Sequence, residues 1–186
     1  METQFEMIDL SDVQRKLIQH LKEVASLIER AELPTEVKQI KLTTSQVKDE
    51  KLIEQTVAEL PSHGNHVYWF KVDKPKEIVD QFSKREKRND FKLARDNKGI
   101  DSTYVYVGSC TQTKLNNRFK QHCGWGHAQT YALHLRKWLN DVELIFTFSY
   151  VTFENDIITM YIEDQLHRQM MPLFGKPGAN SKIRRS

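Results

Sequence analysis

The chain is poor in cysteine, in long apolar runs and in net charge, and each shortage removes a class of protein. Only two cysteines, Cys110 and Cys123, occur in 186 residues. That is too few for a disulfide framework in a chain of this length, and a reducing, cytoplasmic setting is the simpler expectation. No stretch approaches the ~18–20 consecutive apolar residues that a membrane span requires. Residues 1–10 carry acids and no basic n-region, so a secretory signal is not expected. There is no internal repeat, no low-complexity tract, and no spacing that reads as a zinc finger or helix-turn-helix. Cys110, His122, Cys123 and His127 lack the paired C-x2-C spacing of a structural zinc site.

What charge there is lies unevenly. Residues 1–60 hold 8 Lys and Arg against 12 Asp and Glu, a net of −4, whereas the remainder holds 20 against 13, a net of +7. A positive field over the C-terminal two-thirds suits a polyanionic partner. It is densest between Lys74 and Lys98, where nine Lys and Arg occur. A solvated helical face is the commoner meaning of such a run, and a phosphate-contacting face the rarer one.

The apolar pattern predicts the elements. Leu10, Val13, Leu17, Leu21, Val24 and Leu27 recur at steps of three and four, the period of an amphipathic helix over 9–31. That stripe is compatible with packing on the rest of the chain or with a homodimer through the N-terminal helices. A second helix is expected over 45–59, ended by the Pro61–Gly64 turn. HVYWFKV at 66–72, YVYVG at 104–108 and ELIFTFSYVTF at 143–153 are rich in β-branched and aromatic residues and read as strands. Helices are expected over 75–97, 115–123, 130–139 and 156–171. Three strands with covering helices imply an α/β fold. The expectation is a small three-stranded antiparallel sheet flanked by helices over 62–186, behind an N-terminal helical extension over 1–61.

A set of residues in order then carries a resemblance. Tyr106-Val107-Gly108 ends the second strand. Leu115 and Arg118-x-x-x-His122 follow on a helix, Glu163 lies on the last long helix, and Asn180 comes after Pro172 and Gly178. Upstream, His66-Val67-Tyr68 stands on the first strand. This order resembles the GIY-YIG endonuclease superfamily over about residues 64–182. His66 replaces the first glycine of the signature, and 73–102 becomes a basic insertion between the two halves. The resemblance implies a metal-dependent endonuclease that hydrolyses phosphodiester bonds in nucleic acid, DNA before RNA. The alternative is a nucleic-acid-binding module of the same fold without cutting activity.

The resemblance also implies roles. One of Tyr68 and Tyr106 would act as general base, a task for which a phenol of ordinary pKa ~10 must be acidified by nearby cations. Arg118 would fork onto phosphate oxygens, and His122 would relay a proton or bind phosphate. Asn180 would complete the catalytic set. Glu163 would hold one divalent ion, Mg²⁺ or Mn²⁺, which keeps most of its waters and takes phosphate oxygens. Asp164 is an adjacent rival that periodicity does not separate from Glu163. Lys114 and, in the insertion, Lys84, Arg85, Lys87 and Arg88 are the expected backbone contacts. With no separate DNA-reading module, specificity falls to the insertion, to the N-terminal region, or to nothing in the chain.

Overall fold

The computed structural model describes residues 9–86, 89–111, 113–140 and 142–177. The chain forms two compact units, Met1–Leu33 and Pro34–Ser186. In the first, α1 spans Leu10–Arg30; the Asp9 carboxylate accepts from the Ser11 and Asp12 amides and closes its N-terminus.

The second unit runs β1 (Lys38–Thr43), α2 (Thr44–Lys48), α3 (Glu50–Glu59), β2 (Asn65–Val72), α4 (Pro75–Lys84), β3 (Tyr104–Cys110), α5 (Leu115–Cys123), β4 (Ile145–Phe153) and α6 (Asp156–Met170). A single 3₁₀ turn, Leu135–Lys137, lies between α5 and β4. The strands form one antiparallel sheet in the order β1-β4-β2-β3.

The sheet therefore has four strands, and the expectation of three is corrected by β1. Its sequence, KQIKLT, alternates polar with apolar, and only Ile40 and Leu42 are apolar positions withdrawn from solvent on one face. An edge strand pairs on one side only and needs no β-branched run; Lys38 and Lys41 on the open edge discourage further pairing. The segment 34–61, expected in an N-terminal extension, belongs to the same compact unit as the sheet. The predicted 45–59 helix is two, broken at Asp49, which ends α2 and caps α3.

Two other expected helices are shorter or absent. α4 stops at Lys84, and farther on the chain pairs with the 128–132 segment: Lys92 N–H donates to the Ala128 carbonyl, Ala94 N–H to the Ala132 carbonyl and Ala132 N–H to the Lys92 carbonyl. That pairing buries Phe91 and Ala94 and leaves 130–139 irregular apart from its 3₁₀ turn. His134 there is left-handed at φ 48°. Farther on, Leu173 and Phe174 donate backbone N–H groups to Tyr104 and Val105, covering the outer side of β3.

Strand alternation gives the sheet two buried faces. On one, Tyr68, Phe70, Phe146 and Phe148 pack with Phe119 and Leu115 of α5; Phe70 and Phe119 each lie 4.9 Å from Phe148, ring centre to centre. On the other, α6 packs against β2, β3 and β4.

Candidate active site at the β2–β3–α5 junction

The register of β2 on β3 sets the two tyrosines. Tyr68 is opposite Gly108 and Phe70 opposite Tyr106, so Tyr68 and Tyr106 share a face one pair apart. Their rings stack with centres 6.2 Å apart and 16° between planes. Two glycines make room. A Cβ on Gly108 would stand 2.6 Å from the Tyr68 hydroxyl, and one on Gly175, at φ +107°, would stand 2.9 Å from the Tyr106 ring. Tyr68 thus lies across bare backbone on one side, and Tyr106 rests on bare backbone on the other.

Helix α5 brings the remaining groups. Leu115 and Phe119 bury one stripe of it, and Gly124, left-handed at φ 96°, terminates it. Arg118 and His122, four apart, meet the tyrosines on an adjacent stripe. The Leu133 backbone N–H donates to His122 Nδ1 at 3.2 Å. A neutral imidazole whose Nδ1 accepts must carry its proton on Nε2. Burial, reinforced by the nearby Arg118 charge, holds His122 well below the ordinary histidine range, so it is neutral at pH 7. Nε2–H then donates to the Tyr68 oxygen at 3.0 Å, and Arg118 Nε–H donates to the same oxygen at 3.3 Å.

Arg118 is held from four sides. Besides Tyr68, its guanidinium donates to Gln121 Oε1 at 2.5 Å and to the Tyr131 carbonyl at 3.3 Å, and it lies 3.5 Å from His122 Nε2. Every one of these partners is neutral. Among the described residues no carboxylate lies within 4.0 Å of it. A largely enclosed guanidinium without a counter-ion costs free energy that an incoming anion would recover.

Burial raises both phenols, Tyr68 well above its ordinary value, while the Arg118 charge opposes the rise in each. The two differ in access: Tyr68 is fully buried, whereas Tyr106 is partly exposed.

Glu163 reaches this region from α6. Its Oε2 accepts from the Ser109 hydroxyl at 2.5 Å. Burial raises its carboxyl, the Ser109 bond lowers it, Asp164 raises it and Arg118 lowers it. Glu163 is partly exposed, whereas Asp164 is 3 % exposed and neither of its oxygens has a hydrogen-bond partner among the described residues. Among the described residues no three His, Cys, Asp or Glu side chains gather as a metal cage. One carboxylate beside a hydroxyl suits a hard ion that keeps its waters and takes phosphate oxygens, as Mg²⁺ does, and not a tetrahedral zinc.

Tyr68, Tyr106, Arg118 and His122 are thus in mutual contact, and Glu163 is close enough to feel the Arg118 charge. Lys114 stands exposed at the start of α5. Lys84 and Arg85 are engaged elsewhere: Lys84 pairs with Asp80 at 2.8 Å, and the Arg85 guanidinium lies 3.5 Å over the Phe82 ring. Lys87, Arg88 and Asn180 fall outside the described residues. His66, in place of the expected glycine, ties the chain: its ring bonds the His63 carbonyl at 2.9 Å and the Thr152 hydroxyl at 3.0 Å.

Several participants escape a reading of the sequence. Gln121 is one helical turn from Arg118, and Ser109 follows the Tyr106-Val107-Gly108 triplet on the opposite face, so both had a positional signal. The Leu133 amide and Tyr131 carbonyl had none, because every residue carries such groups. No family model, no curated protein and no solved structure matches the chain.

Proposed function

We propose that this chain is a metal-dependent endonuclease of the GIY-YIG kind, hydrolysing phosphodiester bonds in DNA. The observation that carries the reading is Arg118: a positive charge, fixed by four neutral acceptors or neighbours, unpaired by any described carboxylate, and set beside two phenols. Such a group awaits an anion, and a phosphodiester is an anion whose two non-bridging oxygens match a guanidinium fork.

Tyr106 is the proton acceptor in this proposal. It is the less enclosed of the two tyrosines, and in this proposal a water poised against phosphorus passes its proton to the phenolate oxygen. Burial raises the Tyr106 phenol and Arg118 opposes that rise, so the phenolate of this proposal depends on Arg118, which in the same position neutralises charge building on the phosphate. Tyr68 and neutral His122 are positioning residues: the Tyr68 oxygen accepts from the Arg118 Nε–H and from the His122 Nε2–H, so His122 holds Tyr68 and Tyr68 holds the guanidinium. Glu163, with the Ser109 hydroxyl, would hold Mg²⁺ or Mn²⁺. When bound, the ion supplies charge neutralisation at the phosphate and the leaving oxygen.

The direct test incubates the purified chain with supercoiled plasmid and with single-stranded DNA, in Mg²⁺ or in EDTA, and resolves the products on a gel. Nicked or linear plasmid in Mg²⁺ and intact plasmid in EDTA is the expected result. Intact DNA in every lane, with Mn²⁺ as well, would overturn the reading.

A further inference from the structure

A groove of about 700 Å³ opens where the second half of the 73–102 segment meets the end of α6. Arg95 and Lys98 from that segment and Arg168 from α6 line it, together with His167 and Pro172. All three cations are exposed, and among the described residues none has an ion-pair partner within 4.0 Å. Asp96 faces the same groove, and α6 ends there with the negative end of its dipole. Three unpaired cations outweigh one carboxylate and a fractional charge, so the net field is positive.

The walls are held by backbone. Asn97 N–H donates to the Leu173 carbonyl at 2.9 Å, and the Asn97 side chain donates to the Pro172 carbonyl at 3.0 Å. Gly175 N–H donates to the Arg95 carbonyl at 2.8 Å. Gly175 is the same residue whose missing side chain admits the Tyr106 ring. Arg95 and Tyr106 therefore flank one glycine, and the groove adjoins the tyrosine–arginine cluster. His167, 8 % exposed, adds a buried imidazole whose Nε2 has no hydrogen-bond partner among the described residues.

We propose that this groove is a phosphate track, in which Arg95, Lys98 and Arg168 bind the nucleic-acid backbone on one side of the bond held by Arg118. The proposal rests on the endonuclease reading for its substrate and assigns the binding to residues that the basic run at 84–88 does not include. Interactions of this kind position a strand without reading its bases.

The test measures binding of the full chain to a short fluorescein-labelled DNA duplex in EDTA, by anisotropy over a range of salt. The variant is Arg95→Ala/Lys98→Ala/Arg168→Ala. The comparison variant Lys16→Ala/Lys22→Ala/Lys51→Ala loses the same charge from other exposed positions. Urea midpoints establish that both are folded. The groove variant should bind about tenfold more weakly or worse at moderate salt, and its log–log salt slope should flatten by about 0.9 for each phosphate that it no longer neutralises. The comparison variant should keep the wild-type slope. A folded groove variant with wild-type affinity and slope would overturn the track, as would equal losses in both variants. Plasmid cutting by wild type in Mg²⁺, run alongside, separates the two claims: binding weakened in the groove variant without any wild-type cutting leaves the track standing and removes the endonuclease.

Discussion

A methyl group on Gly108 would occupy the space of the Tyr68 hydroxyl, which lies 2.6 Å from the position of that Cβ. The hydrogen-bonded backbone of β2 and β3 cannot yield, so the phenol must. Gly108→Ala should destabilise the fold by about 1–3 kcal/mol, the usual scale of overpacking, read as a lower urea midpoint. A midpoint equal to wild type would mean that Tyr68 has room the structure does not give it. The tyrosines themselves divide by access. Tyr106→Phe removes the proposed proton acceptor and should cost orders of magnitude in cutting rate with little change in stability. Tyr68→Phe leaves two N–H donors without their acceptor in a buried site, so it should lose stability as well as rate. The reverse pattern would assign the base to Tyr68. His122 gives a pH signature. Its folded pKa is depressed by burial, so its contribution is present above the ordinary histidine value of about 6.5 and is lost as pH falls, because the unfolded chain takes a proton that folded His122 refuses. Burial depresses His66, His134 and His167 in the same direction. Stability should therefore fall on acidification below about pH 6.5. His122→Gln should weaken that dependence by about one proton, or about 1.4 kcal/mol per pH unit. An unchanged slope in denaturation curves would show that His122 is not held neutral.

Elements were legible where their pattern answers to burial on both sides. β2, β3 and β4 are dense in aromatic and β-branched residues because each is sandwiched between helical or loop layers, and α5 carries a stop signal in Gly124 and α6 a start signal in Asn155. β1 was hidden because an edge strand needs only alternate apolar positions. The second half of the helix expected over 75–97 and the helix expected over 130–139 failed for a shared reason. Residues 92–94 and 128–132 satisfy each other's backbone groups across the fold, which removes the advantage of an internal helical ladder. That failure matters to the site, since only a non-helical 131–133 has a free carbonyl for Arg118 and a free amide for His122. α6 shows the opposite case. Its Asn155 side chain accepts from the Ile157 and Ile158 amides at 2.8 and 3.3 Å, a local cap readable from the residue type. Asn155→Ala should cost about 0.5–2 kcal/mol, read as a lower urea midpoint, with the cutting rate at moderate temperature nearly kept. A large loss of rate without a loss of stability would mean that the cap also sets the position of Glu163.

At the scale of the molecule, the residues that carry the proposed chemistry come from β2, β3, α5 and α6, and the sheet order places β3 at an edge. Their order along the chain was legible in the sequence; their convergence depends on register, on two glycines without side chains and on backbone groups of the 131–133 segment. Glu163 and Asp164 were equivalent at that level, because apolar residues surround α6. Burial separates them: Glu163 is partly exposed and bonded to Ser109, and Asp164 is enclosed. The central claim, that this convergence cuts DNA with a divalent ion at Glu163, is tested most directly by Glu163→Gln. The substitution keeps the shape and the helix propensity but removes the one charged ligand. Plasmid cutting in Mg²⁺ should fall by orders of magnitude relative to wild type, while the urea midpoint and duplex binding in EDTA stay at wild-type values. A folded Glu163→Gln variant that cuts plasmid at the wild-type rate would contradict the account.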